Sequence, residues 1–212
     1  MVDEEGYVKF TPVWEGGAPI DAGRLKELIG WRQRLYGMGL IGMYPNGVGF
    51  GNISERLESG SGQFIISGTA TGGIKSITPK EFTLVTRSDT EANKVWCTGP
   101  VNASSETMTH AAVYNSDDSI GAVIHVHSLP FWKALLGKVP TTSPDAAYGT
   151  PEMAREITRL FNAERTRLWS IRTIAMGGHE EGILSFGKTL DDAGNSLVRE
   201  YQRFSARRKL AH

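Results

Sequence analysis

The sequence predicts an α/β fold, a single-domain three-layer α/β/α sandwich in which helices cover both faces of one mixed central sheet. Three observations support this prediction. Segments with helical periodicity alternate along the chain with short β-branched runs. A length of 212 residues suits one domain with a substantial core. No repeat, low-complexity tract or linker divides the chain, so we expect an N-terminal arm at 1–20 and a single domain at 21–212.

The first half of the chain should contain one helix and several short strands. Residues 1–20 are rich in proline and glycine and are expected to be irregular, whereas Asp21 is expected to cap a helix that ends at Gly37. Glycine and threonine dominate the loop at 68–77, and Thr78 followed by Pro79 is typical of a helix start. Short apolar runs predict strands at 48–57, 63–67, 82–86 and 94–98.

The second half is predicted to alternate helices and strands more regularly. The helix at 150–164 has the clearest start, because Thr150 is a good N-cap and Pro151 a good first helical residue. Further helices are expected at 104–115, near 129–136 and at 189–206. Strands are expected at 121–128, 171–176 and 182–187.

Composition limits the classes of function. Lys and Arg total 23 and balance 23 Asp and Glu, so no net charge recruits nucleic acid or a membrane surface. Cys97 is the sole cysteine, which excludes a disulfide framework and a cysteine-based zinc site. The N-terminus lacks a signal-peptide pattern and no stretch approaches a membrane span. We therefore expect a cytoplasmic protein that acts on a small molecule.

Two histidines stand one residue apart in the apolar run GAVIHVHS at 121–128. In a strand, His125 and His127 share one face with Val123, because successive side chains point to opposite faces. Each buried ring then needs its own hydrogen-bond partner, or both rings bind one metal ion. The pattern alone leaves both interpretations open.

Other candidate residues lie around predicted element ends. Ser104, Ser105 and Glu106 stand at a helix start, where backbone N–H groups favour a phosphate, although Ser104 could simply be the N-cap. Glu106 and His110 are one turn apart and could form a ligand pair or a helix-surface hydrogen bond. His179 lies among glycines between two predicted strands. It is either an ordinary histidine of a polar turn or the third ligand of a zinc-type ion.

The chain resembles the class II aldolase/adducin family over nearly its whole length. The resemblance rests on six motifs in the same order: GNIS at 51–54, ISGTATGG at 66–73, SSETMTHAAVY at 104–114, AVIHVHS at 122–128, YGTPEMAREI at 148–157 and GHEEGILSFG at 178–187. It implies the family's α/β/α fold, with a mixed central sheet.

The resemblance also implies a site. His125, His127 and His179 would hold Zn²⁺ or another divalent transition ion such as Mn²⁺, Co²⁺ or Fe²⁺. Glu106 would be the catalytic acid/base and a metal ligand when substrate is absent. The substrate phosphate would be lined by Asn52, Thr69, Thr71, Gly72, Ser104 and Ser105.

The implied activity is that of a metal-dependent lyase that cleaves or forms a carbon–carbon bond in a hydroxy-carbonyl compound, with a sugar phosphate as the expected substrate. The same site would suit an epimerase, a dehydratase or a decarboxylase, and the adducin branch of the family is a non-catalytic interaction module. The family also implies a homotetramer with active sites between subunits.

The turn after His179 departs from the family pattern. In the family, glycine directly follows the last ligand, whereas Glu180 and Glu181 intervene here, so either could take part instead of His179.

Overall fold

A computed structural model describes residues 7–210 of the chain, with side chains up to Arg208. Its main sheet has eight strands in the order β1-β7-β6-β5-β4-β8-β10-β9. Neighbouring strands are antiparallel except for β1 and β7, which are parallel, so the sheet is mixed. Strands β2 and β3 form a separate hairpin. The strands are β1 Thr11–Gly16, β2 Gly42–Met43, β3 Gly49–Phe50, β4 Asn52–Arg56, β5 Phe64–Ser67, β6 Phe82–Asp89, β7 Lys94–Gly99, β8 Ala122–His127, β9 Thr173–Ala175 and β10 Gly182–Gly187.

Helices cover both faces of this sheet, and each face has its own apolar core. Helices α2 and α4 pack on one face with side chains such as Met108, Ile157 and Val123. Helices α1, α3 and α6 pack on the other face with Leu35 and Ile124. The predicted three-layer architecture is confirmed. The helices are α1 Lys26–Gly37, α2 Thr107–Ser116, α3 Leu129–Leu135, α4 Pro151–Ala163, α5 Arg165–Ile171 and α6 Leu190–Leu210, with a 3₁₀ turn at Pro79–Glu81.

The N-terminal segment differs from the expectation. The prediction of an irregular segment is wrong for Thr11–Gly16, which forms β1 and pairs in parallel with β7. Proline is tolerated there because β1 is an edge strand and Pro12 needs no ladder donor on its open side. Residues 1–6 lie outside the described part of the chain. The domain boundary at residue 20 stays a prediction.

Several helix boundaries also differ, and α6 extends to Leu210 rather than ending at residue 206. Helix α1 begins at Lys26, because Asp21 accepts a hydrogen bond from the Arg24 N–H and closes a turn first. Helix α2 begins at Thr107 rather than at residue 104. The capping signal at Thr78 is confirmed with its capping box, but the helix it opens is only one 3₁₀ turn. Helix α5 had no counterpart among the predictions.

No helix within residues 7–210 is both long enough and apolar enough to cross a membrane.

Candidate metal centre and substrate cavity

The histidine pair lies on β8, a central strand with β4 on one side and β10 on the other. The predicted facing is confirmed: Val123 packs in the core on the α2 side, whereas Ile124 and Val126 pack on the opposite face. The rings of His125 and His127 are both buried, and their Nε2 atoms are 2.8 Å apart. The two rings therefore contact each other, rather than each having its own separate hydrogen-bond partner at Nε2.

The third histidine reaches the pair from the turn between β9 and β10. Gly182 pairs with His127 in the antiparallel register, which brings the preceding turn beside β8. A Cβ at Gly182 would lie 2.8 Å from His179 Nδ1, so glycine is needed there for the ring to fit. One ligand nitrogen from each of His125, His127 and His179 lies within 4.8 Å of the others. Among the described residues, this is the one such group of metal-ligating side chains.

The two glutamates after His179 take no part in that group. Glu180 is exposed, and the Glu181 carboxylate accepts a hydrogen bond of 2.8 Å from the Tyr44 hydroxyl. The inserted residues therefore leave His179 beside the strand pair. His179, rather than Glu180 or Glu181, is the third member of the group, and its role as a ligand remains a prediction.

Glu106 lies directly before α2 and is 1% exposed. Its Oε1 is 3.2 Å from His179 Nδ1, and its Oε2 accepts a hydrogen bond of 2.7 Å from the Thr109 hydroxyl. The Glu106–His110 spacing suggested a ligand pair or a helix-surface hydrogen bond, and both predictions are wrong. His110 Nδ1 instead lies 2.7 Å from Ser54 Oγ, because α2 is a buried helix whose His110 side faces β4.

A cavity of about 260 Å³ opens next to the metal-ligating group. It is bounded by Tyr7 and by segments 47–52, 68–72 and 104–106. No lysine or arginine lines it within the described part of the chain. The structure brings together all the predicted substrate-binding residues in this lining, with Glu106 beside them: Asn52, Thr69, Thr71, Gly72, Ser104 and Ser105.

These residues differ in what they can offer a ligand. The Thr71 hydroxyl donates to the Gly68 carbonyl at 2.7 Å and so closes the loop itself. A Cβ at Gly72 would lie 2.6 Å from the Gly42 carbonyl oxygen, so this glycine serves close packing. Asn52 is 5% exposed and its Oδ1 has no hydrogen-bond partner within the described residues. Asn52 therefore offers the cavity a buried polar group that a ligand can satisfy.

Ser104 and Ser105 form the turn that leads into α2. Ser104 Oγ accepts a hydrogen bond of 3.4 Å from the Glu106 N–H, and the Ser104 carbonyl accepts one of 2.6 Å from the Thr107 hydroxyl. The alternative that Ser104 is the N-cap is wrong, because Glu106 occupies the N-cap position of α2. Ser105 is the freer of the two serines for a ligand contact. Both residues line the cavity.

Burial favours the neutral form of two imidazoles, His125 and His110. Desolvation, together with the neighbouring rings of His127 and His179, holds the pKa of His125 well below its usual value. Desolvation also lowers the pKa of His110 to about 3. The neutral imidazole is the form that binds a metal ion, so His125 is in its ligating form at neutral pH.

The donor set fits a divalent transition ion. Three clustered imidazoles with an adjacent carboxylate are the ligand types that Zn²⁺ and its neighbours bind. The short contact between the Nε2 atoms of His125 and His127 points the same way, because two lone pairs face one point unless a proton or a cation lies between them. His125, His127, His179 and Glu106 could hold such an ion.

Sequence reasoning missed several residues of the site. Tyr44 contacts His127 Nδ1 at 2.8 Å, and the Tyr148 ring stacks on His179 with centroids 4.6 Å apart. The buried Arg32 donates to the carbonyls of Thr71 and Gly72 at 2.9 and 2.8 Å and holds the cavity loop. Arg32 is spaced with Leu28 and Leu35 on the buried side of α1. This spacing was the one signal in the sequence, because a buried arginine needs hydrogen-bond acceptors.

Comparison with known proteins relates part of this chain to one family. Residues 45–135 match the model of the Class II Aldolase and Adducin N-terminal domain. No curated protein sequence matches the chain. This matched segment, which contains His125 and His127, is similar to the class II aldolase/adducin family.

Solved structures share this fold at low sequence identity. An L-fuculose 1-phosphate aldolase has a TM-score of 0.64 at 22% identity, with 91% of this chain and 88% of that chain covered. A sugar-phosphate aldolase from Thermotoga maritima has a TM-score of 0.64 at 15% identity, with 87% and 93% covered. The L-fuculose-1-phosphate aldolase from Thermus thermophilus has a TM-score of 0.60 at 20% identity, with 89% and 96% covered.

Proposed function

We propose that this protein is a divalent-metal-dependent aldehyde-lyase that cleaves or forms a carbon–carbon bond in a small hydroxy-carbonyl compound. The observation that carries the proposal is the group formed by His125, His127 and His179, with ligand nitrogens within 4.8 Å of one another. Glu106, 3.2 Å from His179, joins this group to the cavity. A ligand set next to a carboxylate and an open cavity is what metal-assisted proton transfer requires.

The three histidines would hold the ion, which we propose to be Zn²⁺, and Glu106 would be a fourth ligand before substrate arrives. When bound, such an ion stabilises the negative charge that develops on the oxygens of a hydroxy-carbonyl compound. The position of His125 in the buried centre of the sheet keeps its imidazole neutral for this task.

Glu106 is the proposed acid/base. When the aldol bond breaks, the hydroxyl proton of one fragment must leave while its oxygen becomes a carbonyl. The electron pair of the broken bond passes to the other fragment, whose carbon later takes up a proton. Glu106 can accept the first proton and return one, because Oε2 is held by Thr109 while Oε1 points to the His179 side. Thr109 thus fixes the orientation of the carboxylate.

The cavity supports a small polar substrate, which we propose to be a sugar phosphate. Asn52 offers a buried amide to a substrate hydroxyl, and Ser104, Ser105 and Thr69 line the cavity with polar groups. Without a lysine or arginine in the described lining, a phosphate would be bound by hydroxyl and backbone N–H donors. The similar structures include L-fuculose 1-phosphate and sugar-phosphate aldolases, which supports this substrate class.

A homotetramer with active sites between subunits is also part of the proposal. Large apolar side chains are exposed around the cavity: Tyr7 lines it at 67% exposure, and Met43, next to Gly73, is 58% exposed. Burial of such a patch against a second copy would remove apolar surface from water. Light scattering should give the mass of a tetramer, and the mass of one chain would contradict a shared site.

The direct test of the function is turnover by Glu106→Gln. Metal-loaded protein is screened for retro-aldol cleavage of phosphorylated and free ketoses, with release of the aldehyde as the readout. The variant keeps the shape of the side chain but removes the base, so turnover should fall by at least about 10². The variant should fold as the wild type does by circular dichroism and retain its ion at somewhat lower affinity. Glu58→Gln, on the exposed surface, is the matched control.

Unchanged turnover in Glu106→Gln would assign the base to another group. Absence of turnover by the wild type on any ketose or hydroxy acid would favour the adducin-type interaction module instead. Product analysis separates a lyase from an epimerase, a dehydratase or a decarboxylase.

A further inference from the structure

A hydrogen-bonded chain of three side chains extends from the metal-ligating group to the surface. The Tyr44 hydroxyl donates to Glu181 Oε2 at 2.8 Å, and the same hydroxyl lies 2.8 Å from His127 Nδ1. The proposed function does not use Tyr44 or Glu181. Tyr44 directly follows the short strand β2, and Glu181 directly precedes β10, the strand beside β8.

The directions of these hydrogen bonds follow from counting protons. An ionised carboxylate can only accept, so the single hydroxyl proton of Tyr44 is used on Glu181. The Tyr44 oxygen must then accept at its other contact, which makes His127 Nδ1 the donor. A neutral imidazole carries one N–H, so His127 Nε2 keeps its lone pair. This Nε2 is the atom that faces His125 Nε2 at 2.8 Å.

The backbone of Glu181 supports a specific role for its side chain. Glu181 has φ +71°, a left-handed conformation that favours glycine and is sterically costly for glutamate. A glycine at this position would relieve that cost, yet the chain has a glutamate whose carboxylate is bonded to Tyr44. The neighbouring Glu180 is exposed, and its φ is not positive.

The Tyr44 ring is held in place independently of its hydroxyl. It packs on Phe50 with ring centroids 4.5 Å apart, and Phe50 in turn stacks on His127 at 5.5 Å. The β2–β3 turn fixes the backbone through a hydrogen bond from the Tyr44 N–H to the Val48 carbonyl at 2.8 Å. Removal of the hydroxyl alone should therefore leave the packing intact.

We propose that Glu181 and Tyr44 are positioning residues that lock His127 in its Nδ1–H tautomer and aim Nε2 at the metal. This inference rests on the proposed metal site. Partners of this kind, which bond the second nitrogen of a ligating histidine, fix its tautomer and orientation. The two inserted residues after His179 thus add a support for His127 rather than displace the third ligand.

The test combines binding and spectroscopy. Zn²⁺ affinity is measured by chelator competition for the wild type, Tyr44→Phe, Glu181→Gly, the double variant and the matched control Glu180→Gly. Each of the first two substitutions should raise the Kd by about 10–100-fold, because such partners contribute that much to metal affinity. The double variant should lose no more than the weaker-binding single variant, since both substitutions break one chain. Glu180→Gly should bind as the wild type does.

A wild-type Kd in Tyr44→Phe, multiplied losses in the double variant, or an equal loss in Glu180→Gly would overturn the proposal. A second measurement needs neither metal nor variant: long-range ¹H–¹⁵N correlation spectra of the metal-free wild type. They should show His127 protonated on Nδ1, and an Nε2–H tautomer would refute the inference. A protein with the Nδ1–H tautomer that binds no Zn²⁺ would refute the proposed function while supporting the hydrogen-bonded chain.

Discussion

Acid should destabilise the fold through His110, which is fully buried on α2. Its Nδ1 bonds to Ser54 Oγ, but its Nε2 has no hydrogen-bond partner among the described residues. A proton on Nε2 would therefore create a buried charged donor without an acceptor. Burial accordingly lowers the pKa of His110 from 6.5 to about 3. Between pH 6.5 and about 3, His110 is protonated in the unfolded chain but not in the folded chain. The free energy of unfolding is therefore highest above pH 6.5 and falls as the pH drops through this range.

The size of this effect follows from the two pKa values. At pH 5 the unfolded His110 is about 1.5 pH units below its pKa, which corresponds to about 2 kcal/mol of lost stability relative to pH 8. Urea unfolding of the metal-free protein, followed by circular dichroism at both pH values, measures the total loss. In His110→Gln, that loss should be smaller than in the wild type by about 2 kcal/mol. His125 is present in both proteins, so most of its contribution cancels in the comparison. An identical pH dependence in the two would refute the reasoning.

Two further substitutions probe the cavity and the third ligand. Ser105→Ala should raise KM mainly for phosphorylated substrates and leave kcat nearly unchanged, because the hydroxyl would bind ground and transition states alike; equal effects on free sugars would remove the phosphate assignment. Gly182→Ala places a Cβ 2.8 Å from His179 Nδ1 and should weaken Zn²⁺ binding without removal of a ligand, by about tenfold or more. Wild-type affinity in Gly182→Ala would mean that the His179 ring does not take part.

Alternation along β8 was sufficient to predict which side chains meet at the site. Two histidines in a buried strand share a face by backbone geometry alone, and the structure has His125 and His127 in contact. The glycines around His179 indicated a close approach of backbone, and Gly182 makes room for the ring. The resemblance in motif order identified the cavity residues, and the structure brings the motifs at 51–54, 66–73 and 104–114 together around one cavity.

Long-range contacts limited what the sequence could predict. The Glu106–His110 spacing suggested a pair on a helix surface, but α2 is buried, so each residue bonds to a different neighbour. The pairing of β1 with β7 depends on a partner far along the chain, which no local pattern reveals. Tyr44 and Glu181 are 137 residues apart, and their bond has no local signature in either segment.

The central claim is that the three histidines form a metal site. The most direct measurement is the metal content of the purified protein by mass spectrometry, for the wild type and for the double variant His125→Ala, His127→Ala. The account predicts about one divalent ion per chain in the wild type, as for a mononuclear site, and none in the double variant. Full occupancy in the double variant would contradict it.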